Sequence, residues 1–189
     1  MLNSKSSLTR YIVLLRAVNV GDRKAPMESL RTACERQGFV DVRSYIASGN
    51  LVFSSALERD AVEAGLEEIV MRDFGFHSDA IARSLAEWKC YAEAAPFPVD
   101  RCERPSQINL CLSKRPPDLL AAEKLVTRAT LGERVTVISD AIWIDFAGGV
   151  GLSKITPSVL DRSVGSPVTT RNWNTVAKLL DLARDAASD

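Results

Sequence analysis

The clearest hydrophobic pattern in the chain is a short apolar run near its start. Residues 11–15 are apolar and rich in branched side chains, which is typical of a buried strand. The polar residues Arg16 and Asn19 follow directly, Gly21 allows a turn, and Pro26 suits the first position of a helix. The pattern therefore predicts a core strand that carries polar side chains at its C-terminal end.

Further along, the spacing of apolar residues changes between a period of two and a period of three to four. The predicted elements are a helix over 26–37, strands over 40–47 and 51–53, a helix from a cap at Ser54 or Ser55 to Phe74, a strand over 77–82, and a helix opened by the capping-box pattern from Ser84 to Glu87. With the first strand, this order is β-α-β-β-α-β, the ferredoxin-like arrangement.

The second half of the chain repeats much of this order. Its predicted elements are a strand over 107–112, a helix starting at 116–118 with Leu119, Ala122, Leu125 and Val126 inward, strands over 134–138 and 142–146, a short helix from Thr156 to Gly165, and a last helix from Thr169 or Thr170 towards Ala183. Asp145 alternates away from its apolar neighbours, so a solvated face is expected for it. We predict an α+β protein of two ferredoxin-like halves, 1–98 and 99–189, packed into one compact body.

The composition narrows the functional classes. Lys and Arg balance Asp and Glu at 24 each, so a strongly basic surface for non-specific nucleic-acid binding is not expected. No apolar run reaches the ~20 residues that span a bilayer, and the polar start has no signal-peptide core. We therefore expect a cytoplasmic protein without membrane contact. The four cysteines lack C-x-x-C spacing and there is one histidine, so we expect reduced core thiols, no metal site and no cofactor.

The ferredoxin-like order places four polar residues at one edge of the first sheet. Its first and third strands are antiparallel neighbours, so Arg16, Asn19, Ser48 and Asn50 should converge there. A guanidinium, two amides and a hydroxyl suit an anion or an amide edge of a ligand. The alternative is loop bracing, because Asn and Ser often hold turns together and Arg often pairs with an acid.

A second candidate is the glycine-rich segment 148–154, which ends at Lys154. Glycines let backbone N–H groups approach a phosphate and a lysine adds charge, although the segment lacks the Walker A pattern. A plain turn is the alternative.

The third candidate is the segment 169–175, predicted to start a helix. Free N–H groups there, with Thr169, Arg171 and Asn172, would attract an anion. A simple threonine cap is the alternative, and the two accounts are compatible.

These stretches resemble a bacterial family of uncharacterised proteins, the domain of unknown function number sixteen ninety-seven. The matching residues are Leu15 to Gly21, Lys24, Pro26 and Met27, Tyr45 to Asn50, Phe53, Ser153 and Lys154, and Thr169 to Thr175. The family pattern usually has glycine where Ala17 and Asp22 stand. The resemblance implies a cytoplasmic α+β protein of two ferredoxin-like halves, adds Lys24 to the candidate residues, and brings no known activity.

We expect a protein that binds a small anionic molecule or nucleotide, with Arg16, Lys154 and Arg171 facing one cleft between the halves. Whether it is an enzyme, and its oligomeric state, stay open. One alternative is an RNA-binding module that stacks bases on Tyr11 and Phe53 of the central strands. Another is a partner-binding scaffold without a ligand.

Overall fold

The structure is a computed structural model and describes residues 7–185. The expectations for the two chain ends therefore lie partly outside the described residues. The strands are β1 (Thr9–Leu15), β2 (Val40–Tyr45), β3 (Asn50–Ser55), β4 (Ala80–Ser84), β5 (Ile108–Ser113), β6 (Arg134–Ile138), β7 (Ala141–Asp145) and β8 (Val168–Asn172). The helices are α1 (Met27–Arg36), α2 (Arg59–Phe74), α3 (Leu85–Glu93), α4 (Pro98–Glu103), α5 (Ala121–Val126), α6 (Pro157–Val164) and α7 (Trp173–Asp185), with a 3-10 turn at Val150–Leu152.

Two compact units make up the chain. The first comprises residues up to Trp88 and those from Leu179 onward, and the second runs from Lys89 to Lys178. The dividing points therefore fall inside α3 and inside α7, whereas the sequence suggested one division at residue 98. Within residues 7–185, no helix is both long enough and apolar enough to cross a membrane.

The first unit has the predicted ferredoxin-like sheet. Its strand order is β2-β3-β1-β4, with every neighbouring pair antiparallel. Leu14 lies opposite Asn50, and the Leu15 N–H donates to the Gly49 carbonyl at 2.8 Å. The predicted pairing of the first and third strands is thus confirmed, and it brings the end of β1 beside the start of β3.

Alternation along β1 determines which side chains enter the core of the first unit. Tyr11, Val13 and Leu15 point to the face covered by the apolar sides of α1 and α2. On the same face, the rings of Phe39 and Phe53 stack with their centroids 4.4 Å apart. Apolar residues that recur every two positions in the strand and every three to four positions in the helices therefore pack into one core.

Several element ends in the first unit differ from the prediction. The strand β3 continues to Ser55, and α2 starts after Glu58 with no side-chain cap, so the predicted cap at Ser54 or Ser55 is wrong. The predicted capping box of α3 is confirmed. The Glu87 N–H donates to the Ser84 hydroxyl at 3.3 Å, and the Ser84 N–H donates to the Glu87 carboxylate at 2.9 Å.

Two glutamates of α2 complete the edge strand β4. The Glu63 carboxylate accepts from the Ala82 N–H at 2.8 Å, and the Glu67 carboxylate accepts from the Ala80 N–H at 3.0 Å. Because β4 has a neighbour on one side only, these N–H groups have no strand partner. The glutamates satisfy them, and they close this edge to pairing with another chain.

The second unit repeats the topology with strand order β6-β7-β5-β8. Its core lies between one face of this sheet and the helices α5 and α6. The predicted phase of α5 is wrong, because the helix starts at Ala121 and buries Ala121 and Leu125, while Leu119 is fully exposed. The predicted helix from Thr156 to Gly165 is confirmed, and the Thr156 hydroxyl caps it by accepting from the Val159 N–H.

Candidate functional site

The loop between β1 and α1 is fixed by Asn19. Its side-chain N–H₂ donates to the Ala25 carbonyl at 3.0 Å and to the Ala47 carbonyl at 2.7 Å, and its side-chain oxygen accepts from the Ala25 N–H at 2.9 Å. Its backbone N–H donates to the Arg23 carbonyl at 2.7 Å. Asn19 therefore ties the β1–α1 loop to the β2–β3 loop. This is loop bracing, the role that the sequence analysis gave as the alternative to ligand binding.

The β2–β3 loop is held by its own side chains and by a required glycine. Asn50 is fully buried, and its side-chain N–H₂ donates to the Tyr45 carbonyl at 3.0 Å and the Ser48 hydroxyl at 2.9 Å. Gly49 has φ +74°, and a Cβ there would lie 2.8 Å from the Cβ of Leu15. The segment Ser48-Gly49-Asn50 is thus required by the packing of the β2–β3 loop against the end of β1.

Three cations lie on the β1–α1 loop, which Asn19 braces against the β2–β3 loop. Arg16 is half-buried, and its guanidinium lies 3.7 Å from the Asp79 carboxylate. Arg23 and Lys24 are exposed, and within residues 7–185 neither side chain makes a hydrogen bond or ion pair. Asp22 is the exposed acid in the same loop. We call Arg16, Arg23, Lys24 and the loops that hold them the first-unit edge.

The backbone of the first-unit edge is strained. Ala17 has φ +54° and Ile46 has φ +51°, a region that costs L-residues about 1–2 kcal/mol. Glycine would adopt the positive φ of Ala17 without this steric cost. Strained residues persist where the surrounding structure over-determines them, and they cluster at binding sites.

The glycine-rich segment of the second unit forms a turn. The Gly149 N–H donates to the Phe146 carbonyl at 2.7 Å, and the 3-10 turn Val150–Leu152 follows. Lys154 is exposed just beyond it, and its side chain has no hydrogen bond or ion pair within residues 7–185.

The predicted helix start at Thr169 or Thr170 is wrong, because these residues belong to β8. Their β-branched side chains suit the strand that completes the sheet beside β5. The helix starts at Trp173, and the Asn172 side-chain oxygen caps it by accepting from the Thr175 N–H at 3.1 Å. The placement of Thr169 and Arg171 at a helix N-terminus is corrected accordingly.

Arg171 is half-buried and hydrogen-bonded inside its own strand. One guanidinium nitrogen donates to the Thr169 hydroxyl and to the Thr170 carbonyl, both at 2.8 Å. Burial lowers the pKa of the Arg171 guanidinium to about 10, so it remains charged at neutral pH. Arg16 lies in the first unit while Lys154 and Arg171 lie in the second, and their common cleft stays a prediction.

An ion-pair network around Asp145 was missed by the sequence. Asp145 is fully buried, and its carboxylate accepts from Arg104 at 3.0 and 3.2 Å and from Arg134 at 3.1 Å. The expectation of a solvated face for Asp145 is therefore wrong. The available signal was the predicted hairpin, since Arg134 lies directly opposite Asp145 on the neighbouring strand.

The aromatic residues proposed for base stacking lie inside the core. Tyr11 is 5% exposed and Phe53 0%, and the Tyr11 hydroxyl donates to the Leu57 carbonyl at 3.1 Å. Both rings lie on the helix-covered face of the first sheet. They are therefore not available to stack on bases.

The cysteines divide into two groups. Cys34 and Cys111 are buried, whereas Cys90 and Cys102 are exposed, so the expectation of core thiols is wrong for the second pair. Burial raises the pKa of the Cys34 thiol to about 12, and burial also raises the pKa of Cys111. Among residues 7–185, no group of three or more His, Cys, Asp or Glu side chains could hold a metal ion.

Family comparison covers most of the chain, including all of the first-unit edge. Residues 8–143 match the model of a family described as a protein of unknown function, DUF1697. The chain belongs to the DUF1697 family. The structure of the conserved bacterial protein SP0830 from Streptococcus pneumoniae is similar, with a TM-score of 0.72 and 22% identity over 94% of this chain and 99% of that one. At this identity the likeness shows the fold alone, and no curated protein matches the chain.

Proposed function

We propose that this DUF1697 protein acts in the cytoplasm by binding a small anionic molecule, such as a nucleotide or a phosphorylated metabolite. The binding surface in this proposal is the first-unit edge. The observation that carries it is the pair of exposed cations, Arg23 and Lys24, without side-chain partners within residues 7–185, on a loop that Asn19 braces. The family match supports the choice of this edge, since it spans the whole of both loops.

In this proposal the cationic side chains contact the ligand, and the bracing side chains position the loops. A guanidinium fits a phosphate or carboxylate through two parallel hydrogen bonds, and a lysine adds a mobile point charge. Arg16 would anchor the ligand from its half-buried position, and Lys24 would approach it from solvent. Asn19, Ser48 and Asn50 would position these loops, because their polar groups are engaged in bracing.

Pre-organised loops reduce the cost of binding. An anion that meets fixed loops requires little ordering of the protein, so more of the electrostatic attraction appears as affinity. For the second-unit residues Lys154, Thr169, Arg171 and Asn172, a role in ligand binding stays a prediction from the sequence. We propose ligand binding only, without a catalysed reaction.

The proposal is tested by thermal-shift screening against nucleotides and phosphorylated metabolites. A stabiliser at about 100 times its Kd should contribute about 2.7 kcal/mol, which raises the Tm of a chain of this length by roughly 5–10 °C. The shift should fall with increasing salt, because exposed charges are screened.

Variants at the edge locate the site. Lys24→Ala removes an exposed side chain without a partner, so it should leave the unliganded Tm unchanged and reduce the ligand-induced shift. Lys178→Ala, at an exposed lysine of α7, is the matched control and should bind normally. Equal stabilisation of both variants and of Arg16→Ala would show that the ligand binds elsewhere.

A further inference from the structure

A cavity lies in the second unit between α5 and α6. Its volume is about 470 Å³, within the range of small-molecule sites. The residues that line it are Leu120, Glu123, Lys124, Thr127, Arg128, Val159, Arg162 and Ser163. All of them belong to the second unit, so the cavity is distinct from the first-unit edge.

Positive charge predominates in the lining of this α5–α6 cavity. It contains three cations and one acid, Glu123. Lys124 pairs with Asp118 at 3.1 Å just outside the lining. Arg128 and Arg162, however, have no side-chain hydrogen bond or ion pair within residues 7–185. Two guanidinium groups are therefore available to a ligand.

A serine of α6 adds a hydroxyl group to the lining of the cavity. Ser163 is 7% exposed and lines the cavity, yet its hydroxyl makes no hydrogen bond within residues 7–185. A helix serine often donates back to a carbonyl of the preceding turn, and without that bond the Ser163 hydroxyl can donate to a ligand oxygen in the cavity. Leu120 and Val159 supply an apolar part of the wall.

We propose that the α5–α6 cavity binds a soluble phosphomonoester whose organic part is small and partly apolar. Arg128 and Arg162 would hold the phosphate dianion, Ser163 would donate to one of its oxygens, and Leu120 and Val159 would contact the organic part. A dianion suits the site better than a single carboxylate, because Arg128 and Arg162 present two guanidinium groups, whereas Asp118 already neutralises part of the Lys124 charge.

Two features distinguish the α5–α6 cavity from the first-unit edge, the binding surface of the proposed function. The helix α6 lies beyond residue 143, so three of the eight lining residues are outside the stretch that matches the DUF1697 family. The second unit also carries more Lys and Arg than Asp and Glu, although the whole chain has zero net charge. The cavity can therefore bind its ligand whether or not the first-unit edge binds one.

The test is a set of titrations of the full chain with inorganic phosphate, phenyl phosphate and benzoate. Binding is monitored through the amide signals in ¹H–¹⁵N NMR spectra. Phenyl phosphate should shift the amide signals of α5 and α6 and bind at least about tenfold more tightly than benzoate, since it brings a second charge. Inorganic phosphate should shift the same signals more weakly. Benzoate binding as tightly as phenyl phosphate would overturn the dianion preference. Shifts confined to the β1–α1 loop would overturn the cavity site.

Variants separate a built site from a general attraction to positive charge. Arg128→Ala and Arg162→Ala should each weaken phenyl phosphate binding about tenfold or more, while Arg162→Lys should recover part of the loss. Ser163→Ala should weaken it by a smaller factor. Arg184→Ala, at an exposed arginine of α7, should change nothing. Equal losses in Arg162→Ala and Arg184→Ala, with dispersed spectra for both, would refute the proposal.

Discussion

At the scale of single residues, the first-unit edge shows how a backbone position selects its residue. Gly49 is required there, because a Cβ would clash with Leu15. Ala17 is tolerated at φ +54°, where glycine would have no steric cost. The strain at Ala17 offers a direct test of the loop geometry.

Replacing Ala17 by glycine should stabilise the protein. Relief of the positive φ gains about 1–2 kcal/mol, and the greater entropy of glycine in the unfolded chain offsets about 0.5–1 kcal/mol of it. The expected net gain in the free energy of unfolding is about 0.5–1 kcal/mol, measured by urea denaturation. Ala64→Gly is the matched control, because Ala64 lies exposed within α2, where glycine should cost about 1 kcal/mol. A loss of similar size at both positions would contradict the left-handed conformation of Ala17.

At the scale of elements, sheet edges impose requirements that extend beyond any one strand. The edge strand β4 has N–H groups that face away from β1, and Glu63 and Glu67 accept from them across the packing of α2 on the sheet. Two acids spaced four apart on one helix therefore serve as the outer partner of a strand. Their positions in α2 would otherwise favour apolar residues.

Removing Glu63 should destabilise the first unit through this strand. Glu63→Ala leaves the Ala82 N–H buried and without its acceptor, which should cost about 1.5–3 kcal/mol, the usual value for a hydrogen bond to a charged group. Amide hydrogen exchange at Ala82 should also become faster. Glu68→Ala is the control, because Glu68 is exposed on the same helix, and its effect should stay within about 0.5 kcal/mol. If the two variants are equally stable, the Glu63 contact does not support the fold.

At the scale of the whole molecule, carboxylates that accept hydrogen bonds from Arg, Lys or backbone N–H groups make the stability of both units sensitive to acid. Hydrogen bonds from Arg134 and Arg104 lower the pKa of Asp100, and a hydrogen bond from Arg72 lowers the pKa of Asp73. For Asp118, the backbone N–H of Leu120 lowers the pKa first, and Lys124 adds to it. Both units therefore contain acids that are harder to protonate when folded.

Stability should accordingly fall as the pH is lowered below about 5. Unfolded Asp titrates near 3.9, and these folded groups titrate lower, so between the two values the unfolded chain binds more protons. The stabilisation is complete above the unfolded pKa and disappears as the pH falls through the folded one. Urea midpoints measured from pH 7 to pH 3 should show this decline, and Asp100→Asn should make it shallower. An unchanged slope in Asp100→Asn would mean that its partners do not shift its titration.

The sequence by itself determined the two ferredoxin-like halves, the confirmed pairing of the first and third strands, and the capping box of α3. These features follow from periodicity and from signals a few residues apart, so local chemistry is enough to specify them.

Only the tertiary structure decided the burial of Asp145, the assignment of Thr169 to a strand, and the meeting of Arg128 with Arg162 around one cavity. Each of these depends on residues distant in sequence: a carboxylate can be buried because two arginines neutralise it, and a cavity exists only where two helices pack. Apart from the hairpin that places Arg134 opposite Asp145, spacing along the chain carries no record of such neighbours, because the packing of whole elements creates them.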